Sequence, residues 1–151
     1  MGLAPMNELA LQSLVVSSIR QFGGFSFKLA NRFLVGIPDL FIKLPGLPSS
    51  IYEVKISKIS ADRKVAHLKV SALQWKFMDD YFDAGGIGGI ISFAKIDSRG
   101  WGIAVRSFEK GEVSGVRHYD HIVNNHVLLM RGRREETIVE YIRGSIQWQS
   151  R

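Results

Sequence analysis

Three side chains in the first third of the chain have the types and the spacing for chemistry. Glu53 and Lys55 sit two residues apart in Ile51-Tyr-Glu-Val-Lys-Ile56, a β-branched and aromatic stretch that reads as a strand. Strand side chains alternate, so Glu53 and Lys55 project from one face while Val54 points into the core. Asp39 is separated from Glu53 by thirteen residues and lies in a second candidate strand from Ile37 to Leu44. If the two strands are antiparallel neighbours, Asp39 approaches Glu53 across the ladder, where facing side chains are ~5 Å apart. Two carboxylates held that close repel unless a cation sits between them. Hard oxygen ligands with open water positions suit Mg²⁺ or Mn²⁺ better than zinc, so the pattern implies a divalent metal.

The elements that must position these groups follow from periodicity. Asn7 can cap a helix in which Leu11, Leu14, Val15, Ile19 and Phe22 recur at three- and four-residue steps, until Gly23-Gly24 stops it. Phe25, Phe27 and Leu29 then alternate with Ser26, Lys28 and Ala30 as a strand. The turn cluster from Pro45 to Ser50 lets residues 37–44 and 51–56 form a hairpin. From Ser57 to Lys69 the chain is polar and basic, a loop or short helix carrying Lys58, Arg63, Lys64, His67 and Lys69. Ser71 is the expected N-cap of a helix striped by Leu73, Phe77, Met78, Tyr81 and Phe82 and closed by Gly85-Gly86. Ile87 to Ala94 is apolar enough to be an interior strand. A turn at Ser98 to Gly100, a strand from Trp101 to Phe108, a turn at Lys110 to Glu112, a weaker strand from Val113 to Tyr119 and a closing helix from Glu135 to Arg143 complete the reading. With no internal repeat and no long linker, residues 1–151 read as a single α/β domain, its mixed, mostly antiparallel central sheet flanked by helices.

Gly36-Ile37-Pro38-Asp39 followed by Glu53-Val54-Lys55 resembles the PD-(D/E)XK nuclease superfamily, and the order of elements from Glu8 to Ala94 agrees with it. Within it the chain looks most like small Holliday-junction resolvases of phages, bacteria and archaea and the related virus-type replication-repair nuclease domains. The resemblance implies a restriction-endonuclease-like core in which Asp39 and Glu53 hold Mg²⁺, or Mn²⁺ as a substitute, helped by the backbone carbonyl of Val54. Lys55 would orient the attacking water and offset charge on the phosphorane-like transition state. Glu8 matches an acidic residue that many relatives place on the first helix, and Gln74 a polar residue on the helix after the EXK strand. Glu8 also reads as an acid placed for the helix dipole, and Gln74 as a surface helix residue.

Composition narrows the partners. The 151 residues carry 20 Lys plus Arg against 14 Asp plus Glu, a net charge of +6, which favours polyanions. The 46% hydrophobic content excludes a disordered tail, and zero Cys excludes disulfides, thiolate metal sites and cysteine nucleophiles, consistent with a reducing cytoplasm. Met1 to Val16 has no basic start, so no export signal is expected, and no apolar run approaches the ~20 residues a membrane span requires. The glycines from Gly85 to Gly89 follow a helix, which fits a turn and not a phosphate cradle. His118, His121 and His126 lack zinc-ligand spacing, even with Asn124 and Asn125 nearby, and read as surface or DNA-side residues. Arg131, Arg133 and Arg134 read either as a solvated turn before the last helix or, as the net charge favours, as a phosphate-contacting patch alongside Lys58, Arg63, Lys64 and Lys69.

The expectation is a metal-dependent endonuclease that hydrolyses DNA phosphodiesters and acts on branched DNA by backbone geometry and charge. Two cuts need two sites, so a homodimer is expected, pairing through Trp101, Phe108 and Tyr119. The competing readings are a nickase or exonuclease of the same superfamily, or a catalytically idle DNA-binding module.

Overall fold

The computed structural model describes residues 6–29, 36–59, 65–67, 70–96, 100–108, 122–123 and 126–151. Asn7 starts α1 (Glu8–Gln21), its side chain accepting from the Ala10 N–H at 2.8 Å and so satisfying one of the donors a helix start leaves unpaired. The strands are β1 (Phe25–Lys28), β2 (Leu40–Lys43), β3 (Ser50–Ile59), β4 (Val65–His67), β5 (Gly88–Ile96), β6 (Gly100–Ser107), β7 (Ile122–Val123) and β8 (Val127–Leu128). Helix α2 (Ala72–Asp83) joins β4 to β5, and α3 (Arg134–Gln149) closes the chain.

Six strands lie side by side in the order β1-β2-β3-β5-β6-β8, with β4 and β7 extending from β3. Among the described residues β3 and β5 form the parallel pair, and a parallel pair needs a crossover, which α2 provides. The other pairings are antiparallel. The expected mixed, mostly antiparallel sheet flanked by helices is therefore present.

The sheet carries a large core on one face and a smaller one on the other. On one, Leu40 and Ile42 of β2, Tyr52 and Val54 of β3, Ile91 and Phe93 of β5 and Ile103 of β6 pack against α1 and α3. On the other, Ile90 packs with Met78 and Phe82 of α2 and with Phe108. Each such side chain removed from water contributes ~1.5–3 kcal/mol. The Tyr52 hydroxyl meets Ser145 Oγ at 2.8 Å and ties β3 to α3. Residues 88 to 94 are buried throughout, as an interior strand should be.

Three expectations need correction. In the stretch expected as a loop or short helix from Ser57 to Lys69, the described residues are strand: β3 runs on to Ile59, and residues 65–67 return as β4, with Lys58 opposite His67. Ser57, Lys58 and His67 on these strands are polar, so the composition of the stretch imitates a loop. The closing helix reaches Gln149, because Ser145 and Ile146 continue the buried stripe of Ile138, Val139 and Ile142. Trp101 and Phe108, expected at a dimer interface, are 7% and 3% exposed and belong to the two cores of their own chain. Tyr119, the strand expected from Val113 to Tyr119 and the turns at 97–99 and 110–112 lie outside the described residues.

Candidate active site

The site forms where β3 outruns β2. The ladder between them ends at Leu40 opposite Tyr52. Beyond it, the Val54 and Ile56 N–H groups on that side of β3 have no strand partner among the described residues and need other acceptors. Asp39 Oδ2 accepts from Val54 N–H at 2.8 Å. Glu8 Oε1, from the first turn of α1, faces Ile56 N–H at 3.5 Å. Two carboxylates thus stand where a strand would have continued. The Val54 carbonyl points to the same side as its N–H, and continuing the register one step sets Asp39 opposite Glu53.

Glu53 is 2% exposed. Its Oε1 takes both nearby donors: Gln74 Nε2 at 2.7 Å and Lys55 Nζ at 3.6 Å. Its Oε2 is buried with no hydrogen-bond partner, an uncommon state for a carboxylate oxygen in a folded chain. Burial first, and then the neighbouring Asp39 charge, push the Glu53 carboxyl up to about 9, with Lys55 pulling the other way. Without a counter-charge Glu53 therefore keeps its proton at neutral pH.

Local sequence explains how Gln74 and Asp39 arrive there. Gln74 sits three residues after the N-cap Ser71 and completes a capping box: Ser71 N–H donates to Gln74 Oε1 at 3.0 Å, and Ser71 Oγ accepts from Gln74 N–H at 3.2 Å. With its oxygen held by the cap, the amide can offer only its NH₂ to Glu53. Gln74 therefore caps α2 and hydrogen-bonds to Glu53 at once. Gly36 brings the Asp39 segment against the same helix turn. Its φ is +92°, and a Cβ there would lie 2.7 Å from the Leu73 backbone, so only glycine permits the approach.

Sequence reasoning missed a buried polar chain on the same face. Ser57, two residues beyond Lys55, bonds to Ser92 through their hydroxyls, and Ser92 Oγ meets His126 Nε2 at 2.8 Å. Ser92 is the register partner of Lys55, so this chain flanks the lysine. Burial lowers His126 to about 4 and leaves its Nδ1 without a partner. The period-two spacing of Glu53, Lys55 and Ser57 was the legible signal; the link to His126 was not.

Four of the seven expected DNA-contacting residues are among the described ones. Lys58 is exposed on β3, while Arg63, Lys64 and Lys69 lie outside the described residues, as do His118 and His121. Arg131 is exposed before α3. Arg133 pairs with Glu136 at 3.3 Å and Arg134 with Glu135 at 2.6 Å. Helix α3, which starts at Arg134, packs on the sheet face opposite Glu53.

Among the described residues no three His, Cys, Asp or Glu side chains gather as a metal-binding group. What is present is a bare buried carboxylate oxygen, a second carboxylate beside it and a backbone carbonyl on the same edge. Few, hard oxygen donors suit Mg²⁺, which keeps several waters and is bound through one or two carboxylates.

No family model matches the chain, and no curated protein matches it. Among solved structures, the chain is similar to a bacterial homing endonuclease, I-Ssp6803I, at 14% identity, covering 100% of both chains with a TM-score of 0.43. A likeness this loose places the chain in no family. Among the described residues no helix is long and apolar enough to cross a membrane.

Proposed function

We propose that the chain is a Mg²⁺-dependent endodeoxyribonuclease with Asp39, Glu53 and Lys55 at its centre. The observation that carries this reading is the bare, buried Glu53 Oε2 next to the Asp39 carboxylate, with both available donors spent on Oε1. Asp39, Glu53 and the Val54 carbonyl would hold the ion, which when bound supplies a Lewis acid for a phosphodiester oxygen and lowers the pKa of water. Gln74 fixes the Glu53 rotamer so that Oε2 stays turned away from its own donors. Glu8 and Asp39 hold the exposed edge of β3 and so keep Val54 in place. Lys55, held beside Glu53, is placed to orient the attacking water and to offset charge that develops on the phosphate, work that a preorganised group does without further rearrangement.

The finer reading is a structure-specific nuclease of branched DNA, such as a Holliday-junction resolvase, working as a homodimer in the cytoplasm. The net charge of +6 supports a polyanionic partner, and a paired cut supports a two-fold assembly. The test is cleavage of a labelled four-way junction, a flap and a linear duplex, with Mg²⁺ and with chelator. Magnesium-dependent cutting that Asp39→Ala, Glu53→Ala and Lys55→Ala each abolish, with binding retained, is expected. A Glu53→Ala variant that cuts as fast as the parent refutes the site. Tight, salt-dependent binding without any cutting would leave the idle-module reading standing instead.

A further inference from the structure

We infer that the uncovered face of β1 and β2 is a stacking platform for unpaired or unstacked bases of the strand being cut. This rests on the nuclease reading above and adds to it the class of DNA that the site accepts. Phe25 and Phe27 are 57% and 38% exposed, and Phe41 is partly buried beside them. The Phe27 and Phe41 rings stack with centroids 5.1 Å apart, and Phe25 meets them edge-on at 5.6 and 6.3 Å. The alternate residues Ser26, Leu40 and Ile42 are fully buried on the other face, so the aromatic positions are not a by-product of core packing. Exposed aromatics that cluster mark a contact surface, whereas single ones need no explanation.

The platform is continuous with the carboxylates. Phe41 follows Asp39 by two residues on the same face, ~7 Å away at ~3.3 Å per strand residue, and Phe27 is its partner in the ladder. Among the described residues no helix covers these rings, since the buried side chains of α2 pack with Ile90 and Phe108. A phosphate held at Asp39 and Glu53 would therefore carry its neighbouring nucleotides onto the rings. Aromatic faces accept any base, without sequence preference, and a chain of net charge +6 draws the backbone in. A base inside an intact duplex has no free face to offer. A second copy of the chain is the weaker occupant. The exposed ring area is on the order of 200–300 Å², because an aromatic side chain presents ~150–250 Å², whereas a stable dimer uses about 800 Å² from each partner.

The experiment compares wild type, Phe27→Tyr, Phe27→Leu and the double variant Phe27→Ala/Phe41→Ala. The probes are a linear duplex and the same sequence with an unpaired stretch at the cut, each with 2-aminopurine beside the scissile phosphate. Binding is read in Ca²⁺ and cleavage in Mg²⁺. Expected results are a 2-aminopurine fluorescence change on wild-type binding that the double variant loses, and a cleavage preference for the unpaired substrate that falls at least tenfold. Phe27→Tyr should keep the preference and Phe27→Leu should lose much of it. Circular-dichroism melts check that all four proteins fold. A double variant that cuts both substrates in the wild-type ratio overturns the platform and leaves the nuclease reading intact. So does one that loses self-association while keeping the ratio. A wild type that cuts no DNA overturns both.

Discussion

Replacing Glu53 by Gln should make the protein more stable at neutral pH, although it removes a group central to the proposed chemistry. The carboxyl is held at about 9 against an ordinary value of 4.5. A carboxyl raised in the folded state binds its proton more tightly there. Its stabilising contribution is complete below pH ~4.5 and is lost as pH rises to ~9. At pH 7 the interval is two and a half units, and at ~1.36 kcal/mol per unit the ordinary carboxylate has an advantage of about 3 kcal/mol in the unfolded chain. Glutamine is neutral at every pH. Its oxygen can keep the Gln74 bond, and its NH₂ takes the place of the bare Oε2 and faces Asp39 as a donor. For a chain of this length, about 3 kcal/mol corresponds to roughly 6–12 °C in Tm. The assay is a set of melts of parent and Glu53→Gln in chelator at pH 4.5, 7 and 8.5. The gain should be near zero at the lowest pH and grow with each step. A variant no more stable than the parent at pH 8.5, or a gain independent of pH, would refute the reasoning.

Three further outcomes follow from the same geometry. Gln74→Ala removes half of the capping box and the hydrogen bond to the buried Glu53 carboxyl, so it should cost roughly 1–2 kcal/mol of stability at pH 7 in urea unfolding and slow any Mg²⁺-dependent cleavage. Gly36→Ala meets a left-handed backbone and the Leu73 main chain together. It should cost more than the ~1–2 kcal/mol of the backbone conformation alone, with cleavage falling further than folding because Asp39 shifts. His126 is lowered to about 4 by burial, so the folded state resists a proton that the unfolded state accepts. The stability it contributes is present above pH ~6.5 and is lost as pH falls toward ~4. His126→Gln should flatten the parent's slope in that window in pH-resolved denaturant titrations, and an unchanged slope would count against its burial.

Much of this arrangement was legible because local rules and tertiary demands agree. Asn7, Ser71 and the glycine stops are caps whose chemistry acts within a few residues, so α1 and the start of α2 stand where the pattern put them. Glu53, Lys55 and Val54 were separable into faces by strand alternation alone, and the hairpin register then delivered Asp39. What stayed hidden depends on partners distant in sequence. The β3–β4 pairing joins Lys58 to His67, positions with no apolar alternation to mark a strand. Trp101 and Phe108 looked like surface aromatics for a partner until β6, α2 and α3 supplied their neighbours. His126 reaches Ser92 across 34 residues, a contact no spacing rule anticipates.

The most direct test of the central claim is an anomalous-scattering map from crystals grown with Mn²⁺. A single strong peak about 2.1 Å from oxygens of both Asp39 and Glu53, the short distance of a hard octahedral cation, is the expected result. A map with no manganese at those carboxylates, from protein that still cuts DNA in its presence, would contradict it.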